Sequence, residues 1–269
     1  MTRSAHDLAH VRQLFDEQVR RGTASDGTGN VVVATPRAVR WSGDRDGGWS
    51  EVAWSGLDES TADAEISDQI KFFSSRGLGF AWRVYDGDAP VDLGTRLEHA
   101  GFEYEGTSEL MVAEIADVPR KVILPSEVTL TFERGAIGID RLIEVHERVF
   151  GTDHSHLRRS LQAQFSASPQ LSELVVAMAN DVPIASSRVE FLPDRQFASF
   201  WGGSTLPQWR GRGLFRAMVS HRAREAAERG YRYAYVIASS DSRPILERLS
   251  FASLGPVSTY MWQPTEVPA

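Results

Sequence analysis

The sequence contains no cysteine. That excludes disulfides, thiolate metal centres and a cysteine nucleophile together, and it suits a reducing compartment. No apolar run approaches the roughly 18 residues that a membrane helix requires. Residues 1–10 lack the apolar stretch of an export signal, so a cytoplasmic location is the expectation. Basic residues are in deficit, 29 Lys and Arg against 36 Asp and Glu, for a net charge of −7. A polyanion needs a basic face, so neither a nucleic acid nor a membrane is expected as a partner.

What remains is the composition of a globular chain, 42% hydrophobic and 24% charged. The 269 residues allow one large domain or two small ones, and either half is long enough to bury a core. Leu8, Val11, Leu14, Phe15 and Val19 fall at helical spacing and predict a helix over 5–21. Strands are expected at 31–33, 38–41, 49–54, 79–85 and 102–113, with helices over 62–76 and 91–100. Residues 119–126, opened by Pro119 and containing Pro125, read as a linker between a first unit (1–118) and a second (127–269). The second unit predicts a strand at 127–134 and helices at 138–150 and 156–166. Strands at 174–179, 184–192 and 197–202 follow, then a long helix at 213–229, a strand at 231–238 and a short helix at 243–249. A final strand pair is expected over 251–262. The order predicts an α/β layer fold with a mixed sheet flanked by helices.

The two halves repeat weakly. Arg76-Gly77 corresponds to Arg229-Gly230, and Leu97-Glu98-His99-Ala100-Gly101-Phe102 to Leu246-Glu247-Arg248-Leu249-Ser250-Phe251. Two copies of one fold are the expectation.

The segment richest in chemistry is Gln208-Trp209-Arg210-Gly211-Arg212-Gly213-Leu214-Phe215, between a strand and the long helix. Alternate glycines let the backbone turn tightly and bring its N–H groups close to a ligand. The helix start adds unpaired N–H groups and the positive end of its dipole, a ready phosphate site. Arg210 and Arg212 add cationic donors suited to phosphate oxygens.

This segment resembles the (Gln/Arg)-x-x-Gly-x-(Gly/Ala) signature of the GCN5-related N-acetyltransferase (GNAT) family, and 245–251 resembles the end of that family's next motif. The resemblance covers about residues 127–262. It implies a GNAT fold that binds acetyl-CoA as cosubstrate, its pyrophosphate held by the backbone of Arg210, Gly211, Arg212, Gly213, Leu214 and Phe215. It further implies that Thr205 and Leu206 offer backbone groups to the pantetheine arm, with Ser239 and Ser242 near it. The chain departs from the family in two places. Leu246 replaces the usual Tyr that protonates the leaving thiolate, with Tyr235, Tyr260 or Ser242 as substitutes, and Ser250 replaces a Gly. The first half lacks the motif; at the corresponding place, where the helix over 62–76 begins, stand Asp58, Glu59 and Asp63. No CoA is expected there, and that half is expected to wall one side of the acceptor pocket.

An amine acceptor needs a base, and Glu190 is the first choice, the alternative being an exposed residue paired with Arg188 or Arg195. Asp153, His154 and His156 are the candidate substrate-contacting residues, or else an exposed loop; their spacing also suggests a metal, but none is expected. Glu144, His146 and Glu147 read as a solvated helix face. Trp41, Trp49, Trp54 and Trp82 read as core, with an aromatic acceptor floor as the alternative. The functional expectation is transfer of an acetyl group to a primary amine of a small molecule by a monomer or homodimer. The alternative is a CoA-binding regulatory module.

Overall fold

The structure is a computed structural model that describes residues 5–25, 30–43 and 48–264. The chain opens with helix α1 (Ala5–Phe15), as its spacing predicts, but Asp16–Arg21 widens into a π-helix. In that wider turn Arg20 is buried, with its guanidinium held on both oxygens of Asp88 at 2.9 and 2.7 Å. A long-range ion pair of this kind is invisible to helical periodicity.

The strands β1 (Val31–Ala34), β2 (Ala38–Ser42) and β3 (Glu51–Ser55) form an antiparallel meander. Helix α2 (Ala62–Ser74) then crosses over to β4 (Phe80–Tyr85), which runs parallel to β3. Helix α3 (Leu93–His99) leads to the long strand β5 (Glu103–Glu114). After 119–127 come β6 (Val128–Glu133), α4 (Ala136–Phe150) and α5 (Ser155–Ala167). The first half's pattern then repeats. Strands β7 (Ser172–Ala179), β8 (Val182–Glu190) and β9 (Phe197–Thr205) form an antiparallel meander. Helix α6 (Leu214–Glu228) crosses to β10 (Tyr233–Ala238), parallel to β9, and α7 (Arg243–Glu247) leads to β11 (Ala252–Trp262).

The eleven strands of the described residues join in one mixed sheet, ordered β1-β2-β3-β4-β11-β5-β10-β9-β8-β7-β6. The last strand of each repeat is exchanged: β11 lies beside β4 of the first half, and β5 beside β10 of the second. The expected strand pair at the C-terminus is therefore one strand. Gly255 (φ +110°) lies within an irregularity of the ladder between β11 and β5, from Ser253 to Pro256.

The repeat is also visible atom by atom. After α2 and after α6 a glycine in the left-handed region closes the helix, Gly77 at φ +67° and Gly230 at φ +83°. In each case the next N–H reaches back, Leu78 to the Phe73 carbonyl and Tyr231 to that of Ala226. After α3 and α7 the same closure recurs, Phe102 to Leu97 and Phe251 to Leu246, both at 3.1 Å. Ser250 takes the glycine-type conformation there at φ +71°.

Helices α2, α3, α6 and α7 cover one face of the sheet. Phe80, Trp82 and Phe102 pack on the first pair, Phe200, Ala234 and Phe251 on the second. Helices α1, α4 and α5 cover the other, where Phe15 packs on Tyr85 and Phe197, and Leu161 on Leu174. No helix among the described residues is long and apolar enough to cross a membrane.

Candidate active site

The parallel pairing of β9 with β10 stops early. Tyr233, Ala234 and Tyr235 face Phe197, Ala198 and Ser199, and the two strands then part. Beyond Ser199 the β10-facing edge of β9 is out of the ladder, so its N–H and C=O groups are open to a ligand. At the fork β9 also bulges: Gly202 and Gly203 together oppose Ser187 of β8, with Gly202 at φ +60°. A Cβ on Gly203 would lie 2.6 Å from the Phe215 ring, so only glycine lets that ring close over the strand.

His146 of α4 supports the bulge. Its Nε2–H donates to the Gly202 carbonyl at 3.1 Å, and the residue is buried. Glu144 and Glu147 are exposed as expected, whereas His146 turns inward. Its i+3 spacing from Ile143 on the apolar face could have shown this. Burial is the main cause that pushes the His146 imidazole down to about 4, with Arg188 and His154 adding to it. Between that value and an ordinary 6.5 the unfolded chain binds a proton that the folded chain refuses. This contribution is complete above about pH 6.5 and is lost as the pH falls towards 4, a cost of about 3 kcal/mol. Urea unfolding of the wild type and His146→Gln at pH 7 and pH 4.5 checks it: the wild type should lose more stability by a few kcal/mol. Equal losses would mean that His146 does not resist protonation.

At the end of β9, Pro207–Trp209 makes one 3-10 turn and the glycine loop follows. Gly211 and Gly213 lie at φ +74° and +85°, and Gly213 caps α6. A Cβ on Gly211 would meet nothing within 4 Å, so the loop is open on that side. The first-turn amides of α6, from Leu214 and Phe215 onward, have no intrahelical acceptor and share the dipole's positive end. Arg210 donates Nε to the Thr205 carbonyl at 3.2 Å, and Arg212 stacks over Trp209 beside Glu127. This open nest of amides, with exposed guanidinium groups beside it, fits a pyrophosphate. Leu206 is buried beneath it, its N–H donating to the Ile184 carbonyl. Ser239 and Ser242 follow β10, their hydroxyls 3.2 Å apart, with Ser242 capping α7.

The first half has an equivalent fork, since β3 pairs with β4 only at Glu51–Ala81 and Val52–Trp82. Its loop is closed by its own carboxylate. Asp58 Oδ1 accepts from the N–H and the hydroxyl of both Ser60 and Thr61. Those hydroxyl donors, ahead of the amides, hold the Asp58 carboxyl below its usual range. The amides that would receive a phosphate are already occupied.

On the α1/α5 side of the sheet lies a cavity of about 570 Å³ with walls from both halves. Side chains two apart on a strand share a face. Thus Arg188 and Glu190 of β8, Trp201 of β9, and Tyr235 and Ile237 of β10 line it at the fork. From the first half come Trp41, Trp49, Glu51, Arg83 and Tyr85, and from α5 comes His156. Glu190 is neither solvated nor isolated: its Oε1 accepts from Arg188 Nε at 3.0 Å, and the pair is about four-fifths buried. Arg222 of α6, pushed down to about 9 by burial, donates to the Arg188 carbonyl and so ties α6 to this strand.

The candidates on the α4–α5 connection separate. His156 lines the cavity, Asp153 spends its carboxylate on the N–H and hydroxyl of Ser155, and His154 turns to the Thr152 carbonyl. Three other ligating groups, on Glu173, His221 and Glu225, lie within 4.8 Å of one another, but Glu173 is already paired with Arg134 and Arg229. The tryptophans also divide. Trp82 is core as expected, Trp54 stacks under Arg21, and Trp41 and Trp49 line the cavity. Leu246, in the position of the family's Tyr, is buried against α6 with Leu249 and Phe251. Of the three substitutes, Tyr260 packs on Tyr104 away from the fork and Ser242 is held by Ser239. Tyr235 stands at the fork itself.

The sequence matches no family model and no curated protein. The fold does have solved counterparts. A GCN5-related N-acetyltransferase from Kribbella flavida superposes with a TM-score of 0.66 at 17% identity, over 98% of this chain and 97% of that one. One from Sphaerobacter thermophilus gives 0.58 at 13% identity, over 94% and 85%. A tandem GNAT protein from the clavulanic acid biosynthesis pathway gives 0.56 at 10% identity, over 88% and 82%. The chain has the GCN5-related N-acetyltransferase fold.

Proposed function

We propose that the chain is an acyltransferase that moves an acetyl group from acetyl-CoA to the primary amine of a small molecule bound between its two halves. The observation that carries this reading is the meeting, at the β9–β10 fork, of an open amide nest, an unpaired strand edge and a cavity containing Glu190. When bound, acetyl-CoA would supply an acyl carbon activated as a thioester.

The protein's residues then have separate tasks. The loop of Arg210–Phe215 and the open edge of β9 hold the donor in line with the cavity. The bulge at Gly202 and Gly203 leaves backbone N–H groups to stabilise charge on the acyl oxygen. Glu190, fixed by Arg188, accepts a proton from the attacking amine as the N–C bond forms and the C–S bond breaks. Tyr235 gives its proton to the departing sulfur. Burial pushes its hydroxyl up, so it is protonated and able to donate at neutral pH. It recovers the proton from Glu190 through water, which leaves an amide and a free thiol.

Thiol release against a panel of amines, with acetyl-CoA binding followed by calorimetry, tests this. One acetyl-CoA per chain is expected, because Asp58 occupies the amides of the first half; two sites would overturn that argument. Tight binding without turnover on any amine would favour the regulatory module that the buried Leu246 suggests.

A further inference from the structure

The two halves meet in the cavity through a stack of rings and guanidinium groups. Arg83 of β4 packs on Trp49 of its own half at 5.5 Å and on Trp201 of β9 at 5.9 Å, measured to the ring centres. Arg188 of β8 packs on the same Trp201 ring at 5.4 Å. Each distance is within the reach of a cation on an aromatic ring. Both ends of the stack close on a carboxylate. Glu51 Oε2 holds Arg83 Nη1 at 2.9 Å and accepts from Trp49 Nε1 at 2.8 Å. Glu190 Oε1 accepts from Arg188 Nε at 3.0 Å. The order is therefore Glu51, Arg83, Trp201, Arg188 and Glu190, running from the first half to the fork.

Trp201 is the member with the least support from the sheet. It stands opposite Arg188 in the β8–β9 ladder, but it lies beyond Ser199, where β10 has left the other edge. The bulge at Gly202 and Gly203 follows at once. The Trp201 Nε1 has no hydrogen-bond partner among the described residues, so packing places the ring. Part of that packing is a guanidinium from the other half. A guanidinium is planar and stacks on aromatic faces, which an ammonium does not do as well.

We propose that Arg83 is a positioning residue for Glu190, holding Trp201 so that Arg188 keeps the carboxylate at the fork. This rests on the transferase reading above, in which Glu190 is the base. It gives the first half a part in the chemistry, although its own loop amides are occupied by Asp58. Misplacing a reacting group by about 1 Å can cost 10²-fold in rate, so loss of this support should lower kcat by about tenfold or more.

Two measurements test the proposal on the full chain. In the first, NMR of the nitrogen-labelled protein follows the Arg188 Nε–H signal, assigned by its absence in Arg188→Lys. Arg83→Met combined with Glu51→Gln removes the first-half pair without leaving a buried carboxylate unpaired. In that double variant and in Trp201→Leu, the signal should move towards its position in Glu190→Ala. Trp201→Phe, which keeps a ring, should move it less. In the second, thiol release is paired with calorimetry. The double variant and Trp201→Leu should lose about tenfold or more in kcat, with acceptor KM and acetyl-CoA affinity close to those of the wild type. A signal unmoved in the double variant overturns the proposal whatever the turnover. A raised acceptor KM at unchanged kcat also overturns it, because Arg83 would then be an acceptor contact, and leaves the transferase reading standing. Absence of turnover on any amine in the wild type sinks the transferase reading alone, and the NMR signal still decides whether Arg83 positions Glu190.

Discussion

Gly211→Asp is expected to weaken acetyl-CoA binding by about a hundredfold or more, while the protein remains folded. The position stands at φ +74° with open space beside it, so the new Cβ meets no protein atom. Its cost to folding is that of a left-handed conformation, about 1–2 kcal/mol, which Asp and Asn tolerate better than other residues. Its cost to binding is larger, because a carboxylate would stand in the nest of amides meant for a pyrophosphate. Lost charge-assisted hydrogen bonds cost about 1.5–3 kcal/mol each, and like-charge repulsion adds to that. Gly211→Asn has the same shape without the charge and should lose far less affinity. The first half already carries this arrangement, with Asp58 seated on the amides of Ser60 and Thr61. Calorimetry on both variants decides the matter, and unchanged affinity in Gly211→Asp would place the cofactor elsewhere.

Glu190→Gln should lower turnover by about 10²-fold or more, the usual yield of a positioned base, with little change in acetyl-CoA affinity. Glutamine keeps the size and an oxygen that can accept from Arg188, so the strand and its bulge should persist. The side chain lies in the cavity wall at the fork. Tyr235→Phe should slow turnover further along the same proton path, again without loss of acetyl-CoA binding. Normal turnover in Glu190→Gln with weakened cofactor binding would reassign the carboxylate to holding Arg188. Steady-state rates paired with calorimetry separate the two outcomes.

How much of this was legible beforehand depends on the range of the interaction. The order of strands and helices, the glycine loop before α6 and the matching helix closures at Gly77 and Gly230 are local. They follow from hydrophobic period and backbone freedom, which a sequence displays directly. The weak match of 97–102 with 246–251 is likewise local, and its counterpart is the same 3.1 Å closing hydrogen bond after α3 and after α7. Ser250 in a glycine conformation is a local substitution of the same kind.

What only the tertiary structure decided rests on contacts between distant segments. The exchange of β5 and β11 depends on which edge each strand finds, and nothing in either strand's alternation names its neighbour. The turn of His146 inward depends on Gly202, 56 residues away, and the π-turn around Arg20 on Asp88, 68 residues away. The cavity is the fullest case. Trp49, Arg83, Glu190 and Arg195 are scattered over both halves, and each alone reads as an ordinary strand or loop residue. The sequence alone determined where the open glycine loop lies, because consecutive residues make it. Only the folded sheet could bring five arginines and three tryptophans from the two halves around one space, because long-range burial follows from packing rather than from spacing.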